Sequence, residues 1–355
     1  MRFSRVLLAL GTMAAATMAA PGDGGSASAA NRKLPALGAD LARTSVSGLS
    51  SGAFMTIQYG VAFSDSTIGM GVVAGGPYNC AYVNVGGIVT CMSGNPAGAV
   101  SYAAAQGFAA LGQIDPVSNL ANQKIYMFSG TNDSIVKQTV MNAVFDFYQA
   151  AQVPAANIQY VKQYPAGHAF ISPSSGHDCA ATATPYIDAC AVIDGAPSSV
   201  NYDQPAAILT QIYGQLNPKA TTPSSKPIAF DQTEFISPVM SMMSSMADTG
   251  YVYIPATCAK AGSARCAVHV VFHGCEQGAQ TVHDAVYGKL GYNNWADSNG
   301  IIVLYPQAVV SSFIPTNPKG CWDWWGYSGL DFQVQSGVQL AAVRAMVARL
   351  TTPRK

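Results

Sequence analysis

The stretch TSVSGLSSGAF at residues 44–54 joins a β-prone run to a Gly-x-Ser-x-Gly motif, and a helix-compatible run continues from it to residue 63. Gly48 and Gly52 lie two residues on either side of Ser50 and allow a sharp turn in which strand and helix approach closely. The motif alone is a weak signal, because glycine and serine are abundant in this chain. Its position between a strand and a helix makes Ser50 a candidate nucleophile.

Short apolar runs elsewhere in the chain predict the other strands of a sheet. They lie at 69–74, 125–128, 158–161, 250–254, 267–272 and 301–305. Helix-compatible stretches separate them near 101–111, 137–151, 290–298 and 334–350. Runs without a polar face are typical of parallel strands that are buried on both sides. The alternation therefore predicts an α/β protein with helices on both faces of a mainly parallel sheet.

Two candidate partners of the serine follow later strands. Asp133 comes just after the second of these apolar runs, and His168 comes just after the third. The chain order Ser, Asp, His, with each residue at the carboxyl end of a strand, is that of α/β-hydrolase triads. We expect Ser50 to attack an ester carbonyl, His168 to act as its base and Asp133 to orient the histidine. His177 is the main rival base, and Asp146, inside a predicted helix, is a poor rival acid.

The motif for the oxyanion hole lies at an unusual place in the chain. In α/β hydrolases an HG-containing loop before the nucleophile supplies one donor. The only candidate here, HGC at 273–275, comes after the nucleophile. Moving the segment from about 250 to 350 in front of the nucleophile strand restores a regular α/β-hydrolase order. We therefore infer a circularly permuted α/β-hydrolase fold in which the backbone N–H groups of Ser51 and Cys275 form the hole.

Composition indicates one globular unit. The 355 residues are 49% hydrophobic and 10% charged, with 18 basic and 18 acidic side chains and no basic run. We therefore expect neither nucleic acid nor a membrane as partner. We expect a monomer with a single catalytic domain at 30–355 and without a separate polymer-binding domain. Pro, Ser, Asn and Asp interrupt the pattern at 172–246, around one predicted helix at 204–216, which predicts a lid-like or capping insertion.

The first residues have the features of an export signal. Arg2 and Arg5 precede an apolar, Ala-rich run at 6–20 and a small-residue stretch at 27–29. The run is short for a membrane anchor, and small residues rather than basic ones follow it. We predict a cleaved signal peptide at residues 1–29. The protein is therefore expected outside the cytoplasm, in the extracellular space or the periplasm.

Eight cysteines fit four disulfides in an oxidising compartment. Their spacing favours the pairs Cys80–Cys91, Cys179–Cys190, Cys258–Cys266 and, by remainder, Cys275–Cys321, although spacing does not prove the connectivity. A zinc site is the alternative, but the sequence has no C-x-x-C pair. No acidic residue is spaced to complete a site with His269, His273 and His283. We expect neither a metal nor another cofactor.

Three of the four tryptophans, Trp322, Trp324 and Trp325, lie in one short loop beside Cys321. A buried aromatic cluster is one interpretation. The other is that large aromatic side chains at the rim of a cleft hold an uncharged substrate. In an extended loop, residues i and i+2 face the same side, so we expect Trp322 and Trp324 to line the substrate crevice.

Six segments together resemble the extracellular poly(3-hydroxybutyrate) depolymerases with circularly permuted catalytic domains. They are GLSSGAFM, PAGHAF, PYIDACAVIDG, YDQPAAILTQIYGQLNP, VVFHGCEQ and CWDWWGY. The resemblance spans nearly the whole chain after the predicted signal. It implies hydrolysis of short-chain-length polyhydroxyalkanoates, with Ser50, Asp133 and His168 in the triad positions and Ser51 and Cys275 in the oxyanion positions.

Two other functions fit the same residues. The first is a secreted esterase of another substrate class, such as a feruloyl esterase, an acetylxylan esterase or a hydrolase of aromatic polyesters, since substrate choice depends on the shape of the cleft. The second is a non-catalytic polymer-binding protein that kept the fold, against which the intact candidate triad argues. The products released from ester substrates distinguish the first alternative from polyhydroxyalkanoate hydrolysis. Organophosphonate labelling of Ser50 distinguishes an active esterase from the second alternative.

Overall fold

The computed structural model describes residues 32–193, 196–260 and 265–354, so the predicted signal peptide at 1–29 lies outside the described residues. The strands of the described residues are β1 (Thr44–Leu49), β2 (Thr67–Val73), β3 (Lys124–Phe128), β4 (Ile158–Val161), β5 (Phe170–Ile171), β6 (His177–Asp178), β7 (Ile187–Ala189), β8 (Val192–Ile193), β9 (Ala196–Pro197), β10 (Ile228–Asp231), β11 (Thr249–Tyr253), β12 (Ala267–Phe272) and β13 (Ile301–Tyr305).

The α-helices of the same residues are α1 (Ser51–Ala62), α2 (Cys80–Val83), α3 (Gly87–Ser93), α4 (Gly98–Ala110), α5 (Gln138–Ala150), α6 (Gln204–Tyr213), α7 (Ser241–Ser244), α8 (Ala256–Ala259), α9 (Ala279–Val282), α10 (Ala285–Lys289), α11 (Tyr292–Asn299) and α12 (Val338–Thr351). Short 3₁₀ helices lie at Leu41–Arg43, Val117–Asn122, Ala155–Asn157 and Thr233–Phe235. Within the described ranges, no helix combines the length and the apolar character that a membrane span requires.

The central sheet has eight strands in the order β10-β11-β13-β12-β1-β2-β3-β4. Strand β11 runs antiparallel to both neighbours, and every other pair is parallel. If β10 to β13 are counted before β1 to β4, the order reads 1-2-4-3-5-6-7-8, with the nucleophile strand fifth. This is a regular α/β-hydrolase sheet whose second half comes first in the chain. The predicted fold class is confirmed.

Neighbouring residues of a strand enter two different cores. On β3, Met127 packs into one core and Phe128 into the other. The first core contains apolar side chains of α1, α5 and α12, and the second contains those of α6 and α11. Because both faces of these strands are apolar, helices cover both sides of the sheet. Because the parallel strands run in the same direction, their carboxyl ends lie at one edge of the sheet, and the loops of the site meet there.

The segment at 172–246 differs from the expected lid-like insertion. Helix α6 packs against β2 and β3 and buries Ile208 and Leu209 in the second core. Strand β10 pairs with β11 at the edge of the central sheet. The expectation is therefore wrong from α6 onwards, because the apolar side of this helix and the open edge of β11 both have to be covered. The part before α6, which includes most of the small sheet β5-β7-β6, contacts the His168 loop through hydrogen bonds from the Gly167 and His168 N–H groups to Cys179 and Thr182.

Four disulfides link Cys80 to Cys91, Cys179 to Cys190, Cys258 to Cys266 and Cys275 to Cys321. The described residues contain no free cysteine. Three bridges close short local loops. The fourth joins the loop after β12 to the loop that carries the tryptophans, over a separation of 46 residues.

Candidate active site

Ser50 lies at the turn between β1 and α1 in a strained backbone conformation. Its φ is 58° and its ψ is −124°, a region that residues with a side chain rarely adopt. A Cβ atom at Gly48 would collide with the carbonyl oxygen of Gly52, and one at Gly52 would collide with that of Phe272. The two glycines therefore let the turn pack against the end of β12. The turn places Ser50 at the N-terminus of α1.

Asp133 and His168 form a buried hydrogen-bonded pair. The Nδ1–H of His168 donates to Oδ2 of Asp133 over 2.8 Å. The other oxygen, Oδ1, accepts from the N–H groups of Ile135 and Val136, each at 2.9 Å. The carboxylate is thus held on both oxygens, and it fixes the imidazole tautomer that leaves Nε2 free to take a proton.

The loops that carry the acid and the histidine are joined along their backbones. The N–H groups of Thr131 and Asn132 donate to the carbonyls of Tyr164 and Ala166. A Cβ atom at Gly130 would collide with the Ala166 carbonyl, so this contact depends on glycine. These contacts therefore hold the Asp133 loop against the His168 loop.

Two cavities meet at Ser50. The first, of about 240 Å³, is lined by Ser50 and His168. The second, of about 190 Å³, extends from Ser50 towards Trp324 and Trp325. Within the described ranges, Ser50 Oγ has no hydrogen bond to His168. Such bonds commonly tighten only when substrate binds.

Two backbone N–H groups are available beside the serine. In the described part of the chain, neither the Ser51 N–H nor the Cys275 N–H has a hydrogen-bond acceptor. Ser51 is the first residue of α1, where N–H groups lack a partner within the helix. Cys275 lines both cavities, and a Cβ atom at Gly274 would lie 3.4 Å from that of Ser50. Both N–H groups therefore lie close to Ser50 and are free to bind a ligand atom.

The orientation of the Cys275 N–H is set by His273. The Nδ1–H of this buried ring donates to the Gly274 carbonyl over 2.7 Å, and its Nε2 accepts from the Ala308 N–H over 3.0 Å. A trans peptide holds its N–H opposite its carbonyl. The Cys275 N–H therefore points away from His273. Burial lowers the pKa of His273 to about 4, which keeps the ring in the neutral form that this arrangement needs.

The tryptophan loop differs from the prediction. Trp322 is fully buried against the edge of Phe272 and lines neither cavity, so the prediction for Trp322 is wrong. Trp324 stacks on Phe54 with 4.1 Å between ring centroids and lines the second cavity together with Trp325. The i, i+2 argument fails because the loop is not extended.

The missed residue behind this loop is Asp323. Its buried carboxylate accepts hydrogen bonds from the N–H groups of Trp325 and of the three residues that follow, at 2.7 to 3.1 Å. These bonds curl the loop and separate the directions of its tryptophans. Burial raises the pKa of Asp323, against the effect of the hydrogen bonds. A lone aspartate beside tryptophans gives no signal of this role in the sequence.

Other residues that line the cavities were missed because their own side chains are not part of a chemical motif. They are Met92, Ile88, Val136, Tyr186, Glu276 and Lys319. Lys319 and Glu276 form an ion pair at 3.3 Å, and the Tyr186 hydroxyl donates to the same carboxylate at 3.0 Å. The charges at this site are thus paired with each other.

The rival candidates lie elsewhere. His177 is exposed on β6 and lines neither cavity, and Asp146 is exposed on α5. His269 is buried between Ser45 and Ser47, whose hydroxyls contact its two ring nitrogens at 2.6 and 2.8 Å. Burial lowers the pKa of His269 to about 3.

Comparison with proteins of known name places this geometry in a family. No protein-family model matches the chain. The poly(3-hydroxybutyrate) depolymerase of Delftia acidovorans is 43% identical over 348 residues, which are 96% of this chain and 65% of that protein. The chain therefore spans slightly less than two thirds of the length of this relative. The polyhydroxybutyrate depolymerase of Talaromyces funiculosus is 36% identical over 346 residues, 92% of this chain and 95% of that protein.

Two solved structures are similar to the whole fold. The crystal structure of PHB depolymerase from Penicillium funiculosum is 36% identical, with a TM-score of 0.79 over 90% of this chain and 98% of that one. A serine-to-alanine variant of PHB depolymerase, complexed with an R3HB trimer, matches with the same values. From its 36% identity to a relative that it covers almost completely and from the shared fold, the chain belongs to the polyhydroxybutyrate depolymerase family.

Proposed function

We propose that the protein is a serine esterase that hydrolyses poly(3-hydroxybutyrate) and its oligomers. One observation carries the proposal: the Asp133–His168 pair and the strained Ser50 border one cavity, beside two N–H groups without an acceptor in the described residues. Membership of the depolymerase family supports the substrate class. The relative with a bound R3HB trimer supports it further.

The reaction proceeds through an acyl-enzyme. Ser50 Oγ forms a bond to the ester carbonyl carbon and gives its proton to His168 Nε2. The carbonyl oxygen takes the negative charge and accepts hydrogen bonds from the Ser51 and Cys275 N–H groups. The C–O bond to the alcohol then breaks, and His168 returns the proton to the leaving oxygen. A water molecule, activated by His168, releases the hydroxyacid and restores Ser50.

The cavities fit a neutral, weakly polar chain. Met92 lines both of them, and Ile88, Val136 and the tryptophans Trp324 and Trp325 line the second. A polyester offers methyl groups and ester carbonyls but no charge along its length. Apolar walls with a few placed donors bind such a ligand well.

We also infer that the protein acts as an exported monomer. The disulfides are consistent with an oxidising compartment, and the sequence pattern of residues 1–29 supports export.

The test is the pattern of products from a small panel of esters. We expect soluble hydroxybutyrate oligomers from amorphous poly(3-hydroxybutyrate) film, and little ferulate or acetate from feruloyl and acetylxylan esters. An organophosphonate probe should label Ser50 in the wild-type protein and leave the Ser50→Ala variant unlabelled. Ferulate or acetate as the main product would contradict the substrate class. An absence of labelling would contradict the esterase itself.

A further inference from the structure

Gln277 is buried, and both the oxygen and the nitrogen of its side-chain amide form hydrogen bonds with backbone groups. Its Oε1 accepts from the Gly274 N–H over 2.7 Å. Its Nε2 donates to the carbonyls of Pro185 and Tyr186 over 2.7 and 3.0 Å. The donor on one side and the two acceptors on the other fix the orientation of the amide group.

These bonds join two walls of the first cavity. Gly274 precedes the Cys275 N–H, and Tyr186 lies in the segment that follows His168 in the chain. The His273 ring holds the carbonyl of the Gly274–Cys275 peptide, and Gln277 holds the N–H of the peptide before it. Gly274 is therefore fixed on both sides, which leaves the Cys275 N–H one direction.

We propose that Gln277 is a positioning residue for the oxyanion hole, which it ties to the Pro185–Tyr186 wall of the substrate cavity. The inference rests on the proposed esterase function. A hole donor acts mainly in the transition state, where its alignment decides the rate. Gln277 touches neither substrate nor nucleophile in this account. Its loss should lower kcat and leave KM nearly unchanged.

The experiment compares Gln277→Glu and Gln277→Met with the matched pair Gln123→Glu and Gln123→Met. Gln123 is also buried and also donates from Nε2 to two carbonyls, those of Gly60 and Thr67, at 2.8 and 3.0 Å. It precedes β3 and so lies at the opposite edge of the sheet from Ser50. The substrate is a soluble hydroxybutyrate oligomer, and thermal unfolding is measured in parallel.

We expect both Gln277 variants to lose about tenfold to a hundredfold in kcat, with KM changed by less than about threefold. The Gln123 variants should lose thermal stability to a similar degree but keep kcat. In Gln277→Glu, a protonated carboxyl group donates to one of the two carbonyls and the carboxylate does not. The ratio of its kcat to the wild-type kcat should therefore rise as pH falls from about 8 to about 5.

The inference is overturned if the Gln277 variants keep kcat, if their loss falls on KM, or if the Gln123 variants lose kcat equally. If one Gln277 variant does not fold, the other decides. If neither folds while both Gln123 variants do, Gln277 is a structural residue and the inference fails. The proposed function has its own control, because a folded Ser50→Ala protein with full turnover would refute that function whatever Gln277 does.

Discussion

His168 is the residue whose replacement tests the site most directly, because His177 offers a second histidine nearby in the chain for comparison. His168→Ala and Ser50→Ala should each lower kcat by about ten-thousandfold or more, since each removes a member of the triad. Asp133→Asn should lower it less, because the base remains but its tautomer is no longer fixed. Initial rates on a soluble ester measure the effect. A His177→Ala protein that loses more activity than His168→Ala would refute the choice of base.

Three buried groups with large pKa shifts contribute to the response of stability to mild acid. The pKa of His269 and that of His273 are lowered to about 3 and about 4 by burial. Their unfolded forms therefore bind protons first, and each contributes stability that is complete above pH ~6.5 and declines as pH falls towards the folded value. Burial, followed by the charge of Asp178, raises the pKa of Asp188 to about 7, so Asp188 acts with the opposite sign over this range.

The two histidines and Asp188 change the unfolding free energy in opposite directions as pH falls. The net slope is therefore that of about one titrating group. Near pH 5, where the unfolded histidines are almost fully protonated, we expect these three groups together to make the free energy of unfolding fall by about 1.4 kcal/mol per pH unit. Asp188→Asn should roughly double this slope, and His269→Gln should bring it close to zero. Denaturant unfolding at several pH values measures it. A slope in Asp188→Asn equal to that of the wild type would refute the assignment.

At the scale of elements, the tryptophan loop depends on one carboxylate. In the wild type, the Ser328 N–H donates to Oδ2 of Asp323. Asp323→Asn keeps the size of the side chain but places an amide N–H where this acceptor was. The lost bond and the unpaired donor should cost about 1–3 kcal/mol of unfolding free energy. Displacement of Trp324 and Trp325 should raise KM for oligomers more than it lowers kcat. The exposed Asp331 gives the control, since Asp331→Asn should change neither constant.

The elements that the sequence predicted correctly are those with a strong local pattern. Strands β3, β4, β12 and β13 are apolar runs, and the Gly spacing around Ser50 marks the turn before α1. Strand β10 was missed because four residues with an aspartate carry too weak a pattern, and only the open edge of β11 makes them a strand. Trp322 was misplaced for a similar reason. The curl of its loop is set by hydrogen bonds to a side chain, which periodicity does not reveal.

At the scale of the whole molecule, the Cys275–Cys321 disulfide links the loop at 273–275, which carries the proposed oxyanion donor, to the tryptophan loop at 321–325. We expect the double variant Cys275→Ser with Cys321→Ser to lose kcat more than it raises KM, because the Cys275 N–H acts mainly in the transition state. The double variant Cys258→Ser with Cys266→Ser removes a bridge at the other end of β12 and should keep kcat. Equal kcat in both double variants would refute a role of the first bridge in the hole.

The permuted order of the strands also bears on the order in which the parts of the proposed site are made. The ribosome makes Ser50, Asp133 and His168 first, but β12 and the Cys275 N–H follow only after another hundred residues of chain. Until then, β1 lacks its neighbour on one side, since it pairs with β12 along its length in the finished sheet. The sheet cannot close around the nucleophile strand before most of the chain has left the ribosome. On the proposed mechanism, a chain that ends before β12 would carry Ser50, Asp133 and His168 without the Cys275 N–H, and we expect such a chain to be inactive.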